Sequence, residues 1–344
     1  MKQSDSKSTL DDCDWAKETK RWKVVPRPYP FKESVLFLKN WVLGPSKKYK
    51  RSAEFIPKTS IVNDISPTLK LGFIGDIMRM ANHQLVVDSS IKDYFKDIDY
   101  LIGNFEGIIT TKYKRGAVGS QILAESDLEA LKQLFPPEKI LLSYSNNHAG
   151  DFGWDEFQKS YKIVKDHGFM VIGRRDEPSI LLDKKVNVAS ASFLSDQRCS
   201  FISNKEEIPS YYNKDAKFNI LYPHWGFELQ FYPWPTQVEL AKKLLDTWDL
   251  ILGHHAHTPQ PISIYPTTKG NKVVAYSLGN FCYGLKWKKY HHNGLIVKTE
   301  IGPNKKQVWQ TGQLDWEFIQ VFFEKRKQAR VSIIDHYKHF KHLQ

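Results

Sequence analysis

The chain has 344 residues, 41% hydrophobic and 13% aromatic, enough for one large cored domain or two small ones. No run of 18 apolar residues occurs, and the opening MKQSDSKSTLDDCDW has no apolar stretch, so neither a membrane span nor a secretory signal is expected, and a cytoplasmic location is. The formal charge of +12 is uneven: residues 1–67 carry +6, residues 301–344 carry +4, and residues 68–300 carry only +2.

Basic ends of this kind suit acidic polymers, nucleic acid or anionic lipid, or are simply solvated tails. A core at +2 gives little electrostatic footprint for nucleic acid, so a nuclease is disfavoured. The three cysteines (Cys13, Cys199, Cys282) are far apart and make neither a disulfide framework nor a zinc knuckle. The charge pattern divides the chain into a basic N-terminal extension (1–67), a central domain (68–300) and a basic C-terminal extension (301–344) packing on the core.

In chain order, FKESVLFLKNWVLG (31–44) is the first amphipathic stretch, with Phe31, Val35, Leu36, Leu38 and Trp41 near helical spacing. It suits a helix packed on the core, or one lying on a membrane surface. From residue 68, short apolar runs end in polar residues: LKLGFIG (69–75), DYLIGNFE (99–106), KILLSYSNNH (139–148), FNILYPHWG (218–226) and DLILGHH (249–255). Amphipathic helical stretches separate them at 124–135, 153–168 (closed by Gly168) and 235–248 (opened by Pro235). Buried strands alternating with helices predict an α/β fold. Hairpins are expected at 261–281 and 294–310, and a helix over 316–343. His336, His339 and His342 would lie on that helix as a solvated face.

The informative fact is position. Asp76, Asn104 with Glu106, Asn147 with His148, His224, and His255 with His257 each fall just past a predicted strand, where α/β sites assemble. Taken singly, Asp76, Asn104 and Asn147 read as turn residues and His224 as a core histidine. Together they are oxygen and imidazole donors without thiolates, a set suited to one or two divalent ions: Mn, Fe or Zn, with Mg as a further candidate. In GHHAH, His255 and His257 at i, i+2 of an extended segment face one side. His254 then faces away and is left out.

The ordered motifs GFIGDIM, GNFEG, SNNHAGDFGW, HWGFE, GHHAHTPQP and YSLGNF resemble the CapA-type proteins of poly-gamma-glutamate capsule synthesis, within the calcineurin-like metallophosphoesterase superfamily. The resemblance covers about residues 68–285. It implies a four-layer α/β sandwich with two central sheets and metals at the strand ends. It also implies Asp76, Asn147, His224, His255 and His257 as metal ligands and His148 as the general acid. Asp151 is the expected partner of His148. The superfamily's first motif is Asp-x-His, but Met78 stands in the histidine's place. The usual Gly-Asp is Gly-Asn here, leaving Asn104 or Glu106 to bridge the metals, and the first metal is expected to be weak or missing. The resemblance implies a phosphoester hydrolase in capsule or surface-polymer synthesis, whether poly-gamma-glutamate or polysaccharide. The alternative is a non-catalytic, metal-bearing scaffold for an anionic polymer or a synthase partner. Arg79, and more loosely Arg174 and Arg175, are candidate phosphate contacts.

Overall fold

The computed structural model describes Trp15 and residues 31–112, 119–194 and 199–340. Cys13 and His342, named above, lie outside the described residues. The first half carries α1 (Phe31–Leu43), β1 (Thr59–Ile61), β2 (Leu69–Ile77), β3 (Gln84–Val87), α2 (Ser89–Phe95), β4 (Tyr100–Phe105), β5 (Ile108–Ile109), β6 (Ile122–Leu123), α3 (Glu125–Leu134), β7 (Ile140–Ser143), α4 (Trp154–Asp166) and β8 (Met170–Ile172). The second half carries β9 (Ser179–Leu182), β10 (Val186–Ser192), α5 (Ile208–Tyr211), β11 (Phe218–His224), α6 (Pro235–Leu245), β12 (Leu250–Leu252), β13 (Ile262–Thr267), β14 (Gly270–Ala275), β15 (Asn280–Cys282), β16 (Asn293–Pro303), β17 (Trp309–Phe323) and β18 (Gln328–Ile334). Among these residues no helix is long and apolar enough to cross a membrane.

The strands form two main sheets. The ten-stranded sheet runs β3-β18-β17-β16-β2-β4-β7-β8, with β1 on β17 and β15 on β2. The six-stranded sheet runs β13-β14-β12-β11-β10-β9. Their facing sides share one apolar layer. Phe73, Ile102, Leu141, Val297 and Trp316 from the large sheet meet Val188, Ile220, Tyr222, Leu252 and Val273 from the small one. The outer face of the large sheet is covered by α2, α3 and α4 through Phe95, Leu131, Phe157 and Val164. The outer face of the small sheet is covered by α5 and α6 through Ile208, Val238, Ala241 and Leu245. Helix, sheet, sheet, helix is the four-layer α/β sandwich, with two central sheets, expected of the motifs. The central strands β2, β4, β7, β10, β11 and β12 bury both faces, which is why they read as continuous apolar runs.

The five strands expected before the polar motifs are present as β2, β4, β7, β11 and β12, as are both hairpins. The final segment differs. It is not a helix but β17 and β18, paired along their length with β16 and with each other. Its apolar residues alternate, with Leu314, Trp316 and Phe318 buried between half-buried Asp315 and Glu317, a period of two rather than 3.6. Strands β17 and β18 therefore belong to the large sheet, and His336 and His339 do not lie on a helix. His339 instead stacks on Phe231, with ring centroids 4.6 Å apart. At the other end, residues 46–62 strap across both sheets. Ile56 N–H donates to Ile262 O at 2.8 Å, and Trp316 N–H to Lys58 O at 2.9 Å.

Helix α1 also departs from expectation. It does not lay its apolar stripe on the core: Ser34 and Asn40 are buried, whereas Val35, Leu38, Trp41, Val42 and Leu43 are exposed. Asn40 Nδ2 donates to Leu229 O at 3.3 Å, so a polar side anchors the helix.

Candidate metal centre

Two glycines let the site close. Gly75 precedes Asp76, and a Cβ there would run into the carbonyl of Gly279. Gly253 precedes the histidine cluster, and a Cβ there would strike Trp225, whose indole N–H donates to Tyr276 O at 2.9 Å. Without side chains at these two points the 276–279 segment packs closely on the ends of β2 and β12.

Asp76 closes β2 and is fully buried. Its Oδ1 accepts from Asn104 Nδ2 at 2.8 Å, and its Oδ2 accepts from the backbone N–H of His255 at 3.0 Å. His254 Nδ1 stands 3.2 Å from Oδ1, and His257 Nδ1 stands 3.4 Å from Oδ2. Burial alone pushes a carboxyl pKa up. The hydrogen bonds from His254 and His257 outweigh it and hold Asp76 well below the usual carboxylate range. Asp76 is thus an anion at any ordinary pH.

His224, at the end of β11, is the hub of the imidazoles. Its Nδ1 lies 2.7 Å from His254 Nδ1, and its Nε2 lies 2.9 Å from His255 Nδ1 and 2.6 Å from Asn147 Oδ1. Burial, and then the neighbouring imidazoles, push His224 and His255 well below the ordinary histidine value. Neutral imidazole is the form that binds metal.

Glu106, just past β4, is wholly buried. Its Oε1 lies 3.7 Å from His257 Nε2, 3.8 Å from His148 Nε2 and 4.0 Å from His224 Nε2. These spacings are too long for hydrogen bonds. They are close to the roughly 3.4 Å that separates two ligands bound at about 2.1 Å around one tetrahedral ion. Four overlapping donor triads result: Asp76, His224 and His254; Glu106, His224 and His255; Glu228, His255 and His257; and Asp76, Glu106 and His257. The donors therefore fit a divalent ion in chemistry, and the spacings of Glu106 from His257 and His224 are close to those of ligands on one ion.

His148 lies at the solvent edge of this cage, 9% exposed. Its Nδ1 is 2.9 Å from Asp151 Oδ2, which also accepts from Gln121 N–H at 3.0 Å. Arg79 directly follows Met78; its Nη1 donates to Ser120 O at 3.2 Å, and its buried Nε has no hydrogen-bond partner among the described residues. Met78 itself is 2% exposed.

The structure brings Asp76, Asn104, Glu106, Asn147, His148, Asp151, His224, His255 and His257 into one locality, and corrects two details. His254 does not face away: it touches both Asp76 and His224. The reason is backbone conformation. β12 ends at Leu252, and His255 (φ 91°) and His257 (φ 54°) are left-handed, so the alternation of an extended segment does not apply. Left-handed backbone at two bulky residues is strain of the kind found at functional sites. Finally, Arg174 is bound to Asp176 and Glu177, and Arg175 to Glu207, so neither guanidinium is free for phosphate.

Three further residues belong to the site and escaped the sequence reading. Glu228 Oε2 is 4.0 Å from His257 Nε2. Asn280 Oδ1 takes His257 Nδ1 at 2.9 Å, aiming Nε2 at Glu106, while Asn280 Nδ2 donates to His291 O at 2.8 Å. The His291 ring lies 5.2 Å from the His257 ring and 5.3 Å from Tyr283. Glu228 and Asn280 sit inside HWGFE and YSLGNF, so position within those motifs was the available signal.

Two sheets whose strand ends converge on a buried cage of imidazole and oxygen donors define an α/β protein with a candidate metal centre. The chain belongs to the bacterial capsule synthesis protein PGA_cap family, whose model matches residues 70–284. It is 28% identical over 269 residues to the PGA biosynthesis protein CapA of Bacillus subtilis (strain 168), covering 70% of this chain and 69% of that protein. It is 25% identical over 283 residues to the capsule biosynthesis protein CapA of Bacillus anthracis, covering 71% and 68%. Among solved structures it is similar to a putative 5'-nucleotidase from Staphylococcus aureus, with a TM-score of 0.44 and 9% identity over 80% of this chain and 57% of that one.

Proposed function

We propose that this protein is a metal-dependent phosphoester hydrolase serving the synthesis of a capsule or other anionic surface polymer. The observation that carries the reading is the pairing of a buried donor cage with His148, an imidazole at its solvent edge oriented by a carboxylate. Asp76, Asn147, His224, His254, His255 and His257 would hold one or two ions, with Asn104 or Glu106 between them. Such an ion supplies Lewis-acid activation of water and charge stabilisation at a phosphoryl group.

The chain's own residues do the rest. Asp151 fixes the Nδ1 proton of His148, leaving Nε2 to carry the proton given to the departing oxygen. Arg79 provides a guanidinium for the substrate's anionic part. The preferred substrate is a phosphorylated or otherwise anionic precursor of the polymer, in keeping with the family.

A second reading has one specific observation in its favour. Met78 fills a position where the superfamily pattern has an imidazole, so the centre could serve a scaffold that binds polymer or synthase without turnover. Purified protein analysed for bound metals, then assayed against phosphomonoesters and diesters with Mn, Zn or Mg, decides. Hydrolysis that His148→Ala abolishes while metal content stays constant supports the enzyme. Bound metal with no turnover on any substrate supports the scaffold, and no bound metal overturns both.

A further inference from the structure

Helix α1 is built inside out. At i, i+3 and i+7, Val35, Leu38 and Val42 form a stripe on its solvent side, exposed by 55%, 55% and 65%. Leu43 extends it at 71%. Trp41 flanks the stripe and meets Trp287 edge to face, with centroids 5.9 Å apart, and Trp287 is itself 62% exposed. Isolated exposed apolar residues are ordinary, but a contiguous set spanning a helix and a neighbouring loop marks a binding surface.

The residues that flank the patch in sequence are basic. Lys39 lies within the stripe, Lys47 and Lys48 follow the helix, and Lys286 and Lys289 flank Trp287, all exposed. No acidic residue occurs between Glu33 and Glu54, nor between Asp249 and Glu300. We infer that this face, made of the solvent side of α1, Trp287 and the surrounding lysines, docks on an anionic lipid surface.

Charge and apolar character together select the occupant. A second copy packed face to face would set lysines against lysines. An acidic polymer would neutralise the lysines but leave Leu38, Val42 and Leu43 in water. A bilayer interface accepts both: aliphatic side chains enter the acyl boundary, tryptophans sit at headgroup level, and lysines meet phosphate. Docking would also seat the metal centre close to the membrane. The loop that carries Trp287 continues to His291, whose ring packs on His257. The patch is independent of any catalytic step and stands even if the centre has no turnover.

The full chain, floated with vesicles, tests this. It should float with vesicles of phosphatidylcholine containing about one third phosphatidylglycerol, and at least roughly tenfold less with phosphatidylcholine alone. Leu38→Asp with Val42→Asp should lower flotation about tenfold, and so should Lys286→Glu with Lys289→Glu, with unchanged melting temperature and metal content. All four side chains are exposed, and the two pairs lie on different elements, so a folding defect in one leaves the other informative. No flotation on either vesicle overturns the inference, as does flotation that neither pair reduces. Binding to soluble polyglutamate but not to vesicles overturns it too, as does a concentration-dependent dimer that Leu38→Asp with Val42→Asp dissociates.

Discussion

The two sheets bring different chemistry to the centre. The large sheet supplies oxygen: Asp76 at the end of β2, Asn104 and Glu106 at β4, and Asn147 after β7. The small sheet supplies mainly nitrogen: His224 from β11, and His254, His255 and His257 after β12, with the Glu228 carboxylate beside them. Among the described residues of the cage, the imidazole on the oxygen side is His148, which sits at the edge and is held by Asp151. One wall brings mainly oxygen donors, the other mainly imidazoles, and they belong to layers joined mainly by apolar packing. An ion held between them would pin sheet to sheet, so occupancy and stability should be coupled.

That coupling gives the largest expected effect. Removing His255, which touches His224 and lies in two donor triads, should cut metal affinity more than about 100-fold. Elemental analysis of His255→Ala checks this, and the melting point of the wild type should fall to that of the variant on chelation. Retained metal in His255→Ala would mean that the nitrogen wall is structural. Next comes His148→Ala, which should keep metal and lose turnover by about 10²–10⁴-fold. Glu106→Gln keeps shape and removes charge from the oxygen wall, so it should weaken metal binding about tenfold. If Asn104→Ala costs more than Glu106→Gln in the same titration, the bridging role belongs to Asn104. Met78→His adds an imidazole to the oxygen wall. It should raise occupancy of the ion nearest Asp76 a few-fold in metal titrations, against some cost in packing, because Met78 is buried.

The oxygen wall was legible because each donor stands near the end of an apolar strand or just past it, and strand ends need no long-range information. The nitrogen wall was legible only in part. His224 follows its strand in the same way. His254 was excluded by an argument valid for extended chain, and the left-handed φ at His255 and His257 is a tertiary outcome that composition does not announce. The C-terminal strands were lost for a related reason. Phe322 and Phe323, near the end of β17, continue its apolar run without alternation and read as a helix, whereas pairing with β16 and β18 fixes a strand. Helix α1 shows the converse. Its periodicity was read correctly, but amphipathicity says only that two faces differ, not which faces the protein.

The smallest expected effect concerns a carboxylate on the large-sheet side that is not part of the cage. Asp127, in the first turn of α3, is buried, and its carboxylate accepts from Ala124 N–H at 3.0 Å. Burial raises its pKa from 3.8 to about 6, against the lowering effect of that bond. For an acid with a raised folded pKa, the stabilising contribution is complete below 3.8 and is lost as pH climbs through about 6. Ionised Asp127 should therefore cost the fold about 2–3 kcal/mol at neutral pH, relative to acid. Asn keeps an acceptor for Ala124 N–H and cannot ionise. Asp127→Asn should match the wild type near pH 4, melt higher at pH 7, and flatten the decline between. Because Asp127 contacts none of the cage residues, its metal content should not change. A fall in bound metal would mean that charge on the oxygen wall is set by the whole layer and not by Asp76 and Glu106 alone.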